Sequence, residues 1–88
     1  MTRVILDFAA IKDEAALHDI LARELRLPAH YGRNLDALWD CLMRDVKGPA
    51  TFELRHVDKA DARLRRYVAL LREVATKRGD FACIPDPL

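Results

Sequence analysis

An α/β fold, built on a small three-stranded parallel sheet packed with helices, is what this sequence predicts. Three strand-like runs are spread along it: Val4-Ile5-Leu6 with Phe8, Thr51 to Val57, and Phe81 to Ile84. Between them apolar residues recur at helical rather than alternating spacing. The resulting order, β-α-α-β-α-β, puts helix between successive strands and favours parallel pairing through right-handed crossovers. The 88 residues suffice for one core, so a single domain over residues 1–88 is expected.

Each element has a local reason. Val4-Ile5-Leu6 with Phe8 is apolar enough for a buried strand. Asp13 suits the N-cap of the next helix, because its carboxylate can accept from unpaired N–H groups of the first turn. Leu17, Ile20, Leu21 and Leu25 form the stripe of that helix, and Pro28 stops it, since the residue before a proline avoids helical angles. His18 is expected to be structural or to face solvent. Ala29 to Arg33 reads as a loop in which Gly32 supplies a positive φ. Asn34 caps a second helix with Leu35, Leu38 and Leu42 on one side and Cys41 at its border. Asp36, Asp40 and Met43 fall opposite, Trp39 lies on the boundary, and the helix should end near Lys47-Gly48-Pro49. Thr51 to Val57 alternates as a strand does, and Asp58 is a candidate cap for a turn or helix after it. Leu64, Tyr67, Val68, Leu71, Val74 and Ala75 mark a long amphipathic helix closed by Lys77-Arg78-Gly79. Phe81-Ala82-Cys83-Ile84 is the third strand, and Pro85 and Pro87 prevent further pairing.

Composition narrows the function. No apolar run approaches the roughly 20 residues of a membrane span, and Val4-Ile5-Leu6 is too short for a secretory signal. A cytoplasmic protein without membrane contact is expected. The net charge of +1 argues against direct nucleic-acid binding as the main activity. Its distribution is uneven: residues 1–45 carry eight acids against six Lys/Arg, and residues 46–88 carry six against nine. Neither Cys41 nor Cys83 belongs to a CxxC pair or a zinc-like cluster, so both are read as reduced, buried thiols, with no metal and no cofactor implied.

Asp36 and Asp40 stand one helical turn apart on one face. Like charges so placed cost an isolated helix roughly 0.2–0.5 kcal/mol, which points to a cationic partner. Asp36 lies in the first turn, where the helix dipole favours it by about 0.3–1 kcal/mol. Asp40 lies deeper, lacks most of that support, and gains most from a partner's cations.

The run Tyr31-Gly32 followed by Asn34-Leu35-Asp36-Ala37-Leu38-Trp39-Asp40-Cys41-Leu42 resembles the hallmark of the barstar family, intracellular inhibitors of ribonucleases of the barnase type. The resemblance extends back through Leu17-His18 and Glu24-Leu25-Arg26-Leu27-Pro28 and reappears in Arg72-Glu73. It implies a barstar-like fold and a protein that plugs a ribonuclease active site, its acids standing in for RNA phosphate. Position by position, it implies partner-binding roles for His30, Gly32, Asn34, Asp36, Trp39 and Asp40 in one segment and for Leu70 and Glu73 in a second. The implied partner is a barnase-like endoribonuclease, of extracellular or toxin type, bound one to one by an inhibitor that is monomeric when free. Three departures stand out. His30 replaces a tyrosine of the family loop, Arg33 replaces an acid near Asp36 and Asp40, and Arg65 and Arg66 replace acidic or neutral residues. Long-range steering should therefore be weaker than in strongly acidic relatives.

Two other functions compete. An enzyme could use Asp36, Asp40 and His30 as a metal site or an acid–base set. Yet the chain has no Gly-rich phosphate loop and no HExxH, and both carboxylates project from a convex helix face. A catalytic role is therefore not expected. A barstar-like module for a non-nuclease protein is the alternative that the shifted charge keeps open.

Overall fold

The structure, a computed structural model, describes residues 2–85. Strand β1 spans Thr2–Asp7, helix α1 Glu14–Leu25, helix α2 Leu35–Asp40, strand β2 Ala50–Arg55, helix α3 Ala62–Lys77 and strand β3 Phe81–Ile84. A π-helical turn, Cys41–Asp45, continues α2, and a 3-10 turn, Val57–Lys59, precedes α3. The strands form one parallel sheet in the order β1-β2-β3, with Val4 beside Phe52 and Phe52 beside Cys83. This is the expected fold class. Pro85 comes directly after β3, whereas Pro87 lies outside the described residues.

The sheet has two unlike faces because side chains alternate along a strand. Val4, Leu6, Phe52, Leu54, Phe81 and Cys83 are buried. They share a core with Leu17 and Leu21 of α1, Leu38 and Leu42 of the α2 segment, and Leu64, Leu71 and Val74 of α3. Each buried Leu, Val or Phe contributes roughly 1.5–3 kcal/mol. Arg3, Ile5, Glu53 and Arg55 occupy the opposite face, and Ile5 is 46% exposed.

Several boundaries differ from expectation. Helix α1 stops before Pro28 is reached. Arg26 adopts the left-handed conformation at φ 52°, and the N–H groups of Arg26 and Leu27 both donate to the Ala22 carbonyl. Asp58 caps nothing, because it lies inside the 3-10 turn; Asp61 caps α3, its Oδ1 accepting from Leu64 N at 2.9 Å. The α2 segment ends at Asp45, earlier than Lys47, in a widened turn closed by Val46 N donating to Cys41 O at 2.9 Å. Arg78 holds that end in place. Its Nη1 donates to the carbonyls of Leu42 and Val46, both at 2.6 Å, while Nη2 pairs with Asp80 at 2.8 Å and the guanidinium lies 4.1 Å over the Phe81 ring. Gly48 fits here because a Cβ would collide with the Asp80 carboxylate.

Candidate functional site

The loop before α2 and the start of that helix are built by local hydrogen bonds. Asn34 has extended backbone angles and caps α2, its Oδ1 accepting from Ala37 N at 2.7 Å. Its Nδ2 donates to the Gly32 carbonyl at 3.3 Å, and Tyr31 N donates to Pro28 O at 2.9 Å. Gly32 does not carry the positive φ expected of it. Arg33 does, at φ 55°, held there by long-range contacts: its Nη2 donates to Asp19 Oδ1 at 2.8 Å and to Ala15 O at 3.2 Å. The glycine serves close approach instead, since a Cβ there would lie 3.0 Å from Ala37 Cβ.

Along α2 and the turn that continues it the two acids lie away from the core, whereas Met43, expected on their side, is half-buried against it. Leu38, Cys41 and Leu42 are buried, while Asp36 and Asp40 are exposed. Most other acids are engaged within the chain. Asp13 and Asp61 cap helices, Asp19 pairs with Arg33, Asp80 with Arg78, and Asp7 with His56 at 2.8 Å. Among the described residues, Asp36, Asp40 and Glu73 make no side-chain hydrogen bond or ion pair. Arg33, expected beside Asp36 and Asp40, pairs with Asp19 of α1 instead. Burial first, then Asp45 and the charge of Asp40, push the Cys41 thiol up and keep it protonated.

A groove of about 340 Å³ runs between α2 and α3. Leu35, Asp36 and Trp39 line one wall; Arg66, Ala69, Leu70 and Glu73 line the other. Trp39 and Leu70 are half-buried and packed on the core, so each offers one apolar edge to the groove. The groove thus gathers Asp36, Trp39, Leu70 and Glu73, and Asp40 stands exposed one turn beyond Asp36. His30 is exposed and lines a different depression with Leu25 to Pro28, Asp45 and Val46. Gly32 and Asn34 are exposed in the connecting loop. Sequence reasoning does not single out Leu35 as a groove residue and leaves Arg66 without a place. The spacing of Arg66, Leu70 and Glu73, four and then three residues, is the signal that puts all three on one face.

Among the described residues, no three His, Cys, Asp or Glu side chains converge to hold a metal ion, and no helix is long and apolar enough to cross a membrane.

Residues 1–83 match the family model described as Barstar (barnase inhibitor). A protein of Bacillus subtilis (strain 168), named "Putative ribonuclease inhibitor YrdF", is 39% identical over 74 residues, which cover 84% of this chain and 81% of that protein. Both descriptions are of inhibitors rather than enzymes. The match over residues 1–83 and the 39% identity show the same thing: this chain belongs to the barstar family.

Proposed function

We propose that the protein inhibits a barnase-like endoribonuclease in the cytoplasm, binding it one to one and occupying its active site. In this reading it acts as a single domain, monomeric when free, and neutralises a nuclease that would otherwise attack the cell's own RNA. The observation that carries the proposal is the pair of exposed carboxylates on α2, unpaired among the described residues, beside a groove that adds Trp39, Leu70 and Glu73. An RNA-binding pocket is cationic, and acids held on a rigid helix supply the charge that phosphate would bring. A standard interface buries on the order of 800 Å² per partner. The groove alone is too small for that, so the loop with His30, Gly32 and Asn34 contributes, together with α2 and α3.

Titration against barnase, reading RNA cleavage, tests the proposal. Stoichiometric loss of cleavage at a one-to-one ratio is the expected result. A folded protein that leaves cleavage untouched at micromolar excess would redirect this face to a non-nuclease partner.

A further inference from the structure

The loop between α1 and α2 has no regular secondary structure, yet Tyr31 within it is buried. The Tyr31 hydroxyl lies 2.7 Å from Nδ1 of His18, which is only 2% exposed. The other ring nitrogen, Nε2, lies 3.0 Å from the hydroxyl of Tyr67 on α3, and that hydroxyl lies 2.9 Å from Glu14 Oε2. The Tyr67 and His18 rings meet edge to face with centroids 5.1 Å apart.

One proton arrangement satisfies all three contacts. A carboxylate only accepts, so Tyr67 donates to Glu14. The Tyr67 oxygen then accepts from His18 Nε2–H, and the bare Nδ1 accepts from the Tyr31 hydroxyl. The groups stay in the required states. Burial first, and then the charge of Arg33 against the pull of Glu14 and Asp19, pushes His18 down, so it is neutral. Burial first, with Glu14 adding, holds the Tyr67 phenol up to about 12, and burial raises the Tyr31 phenol further.

We infer that His18 is a positioning residue for partner binding: through Tyr31 it fixes the loop carrying His30 and Gly32 against α1 and α3. This rests on the reading of that loop as part of the nuclease-binding surface. The loop's other side-chain tie to α1 is Arg33, which donates to Asp19 and to the Ala15 carbonyl; both contacts are solvent-exposed, and exposed ion pairs contribute little. The buried link therefore sets the loop. Its value to binding is preorganisation, because a loop already fixed loses less freedom on association.

The test uses the free protein first. Nitrogen NMR of the His18 ring should show the proton on Nε2, with Nδ1 unprotonated. In Tyr31→Phe, amide exchange at residues 30–34 should accelerate roughly 2- to 10-fold, the size of one net buried hydrogen bond, while β2 amides keep their rates. His18→Gln retains one donor and one acceptor and should restore most of the protection that His18→Leu loses. Barnase affinity should follow loop protection across these variants. A proton on Nδ1, unchanged loop exchange in Tyr31→Phe, or acceleration shared equally by loop and β2 would overturn the inference. An Asp40→Ala control separates the two readings. If Asp40→Ala weakens inhibition but loop protection does not track affinity, only the positioning role fails. If loop protection responds as stated but barnase is not bound, the nuclease reading fails instead.

Discussion

The outer face of the sheet and the outer face of α2 treat the same chemistry in opposite ways. On the sheet, Glu53 sits between Arg3 and Arg55, and Asp7 is paired with His56. Hydrogen bonds from those partners hold both carboxylates below their ordinary range. On α2, Asp36 and Asp40 have no such partners among the described residues. Cations are not scarce, for the chain carries 15 Lys and Arg residues. Their arrangement closes the charges of one surface inside the molecule and leaves those of the other available to a second molecule.

The contrast can be broken most severely on α2. Truncating one member of a charge pair buried at an interface costs about 2–5 kcal/mol. Asp40→Ala is expected to weaken nuclease binding by that amount while leaving the melting temperature unchanged. Calorimetric titration alongside thermal denaturation checks both halves. Equal affinity in the folded variant would remove the anchor from the proposed interface. Leu38→Ala, on the buried side of the same helix, should do the reverse. It should lose about 2–5 kcal/mol of stability, and bind normally once corrected for the folded fraction in a denaturant titration.

Asp36→Ala comes next. It should weaken binding less than Asp40→Ala and also cost about 0.3–1 kcal/mol of stability, because Asp36 supports the first turn of α2. A larger binding loss at Asp36 than at Asp40 would reverse the proposed order of importance.

Acid should separate the surfaces in two stages. His18 is depressed in the folded state, so the unfolded chain takes up its proton first as pH falls. Its stabilising contribution is complete above the ordinary histidine value of about 6.5 and is lost as pH drops through the lower folded value. Asp7 and Glu53 contribute above the ordinary carboxylate values of about 4, and their share is lost below that. Thermal melts at successive pH values should show the first decline flattened in His18→Gln. The smallest effect belongs to Glu53→Gln: a slight loss of stability at neutral pH and no change in nuclease binding.

Much of the fold is legible in the sequence where the cause is local. Asp13 and Asn34 cap the helices they precede, α3 buries Leu64, Tyr67, Val68, Leu71 and Val74, and β3 runs from Phe81 to Ile84 as the apolar pattern indicates. Asp36 and Asp40 face outward as helical spacing requires. The features that escape depend on residues distant in the chain. The positive φ passes from Gly32 to Arg33 because Asp19 and Ala15 hold the guanidinium. His18 is structural, one of the two roles expected for it, but its partners are not legible. Its spacing to Leu21 and Leu25 puts it on the apolar side of α1, but the two tyrosines that satisfy its ring come from positions 13 and 49 residues away. The widened turn at Cys41–Asp45 depends on Arg78, which no local pattern ties to α2.

That last contact has a consequence for synthesis. The carbonyls that Arg78 closes belong to Leu42 and to Val46, which precedes it by 32 residues. A chain growing from its N-terminus on the ribosome therefore displays every acid of α2 before the guanidinium that locks the helix's trailing end has been made. Until then the acids ride on a scaffold whose trailing end is still open.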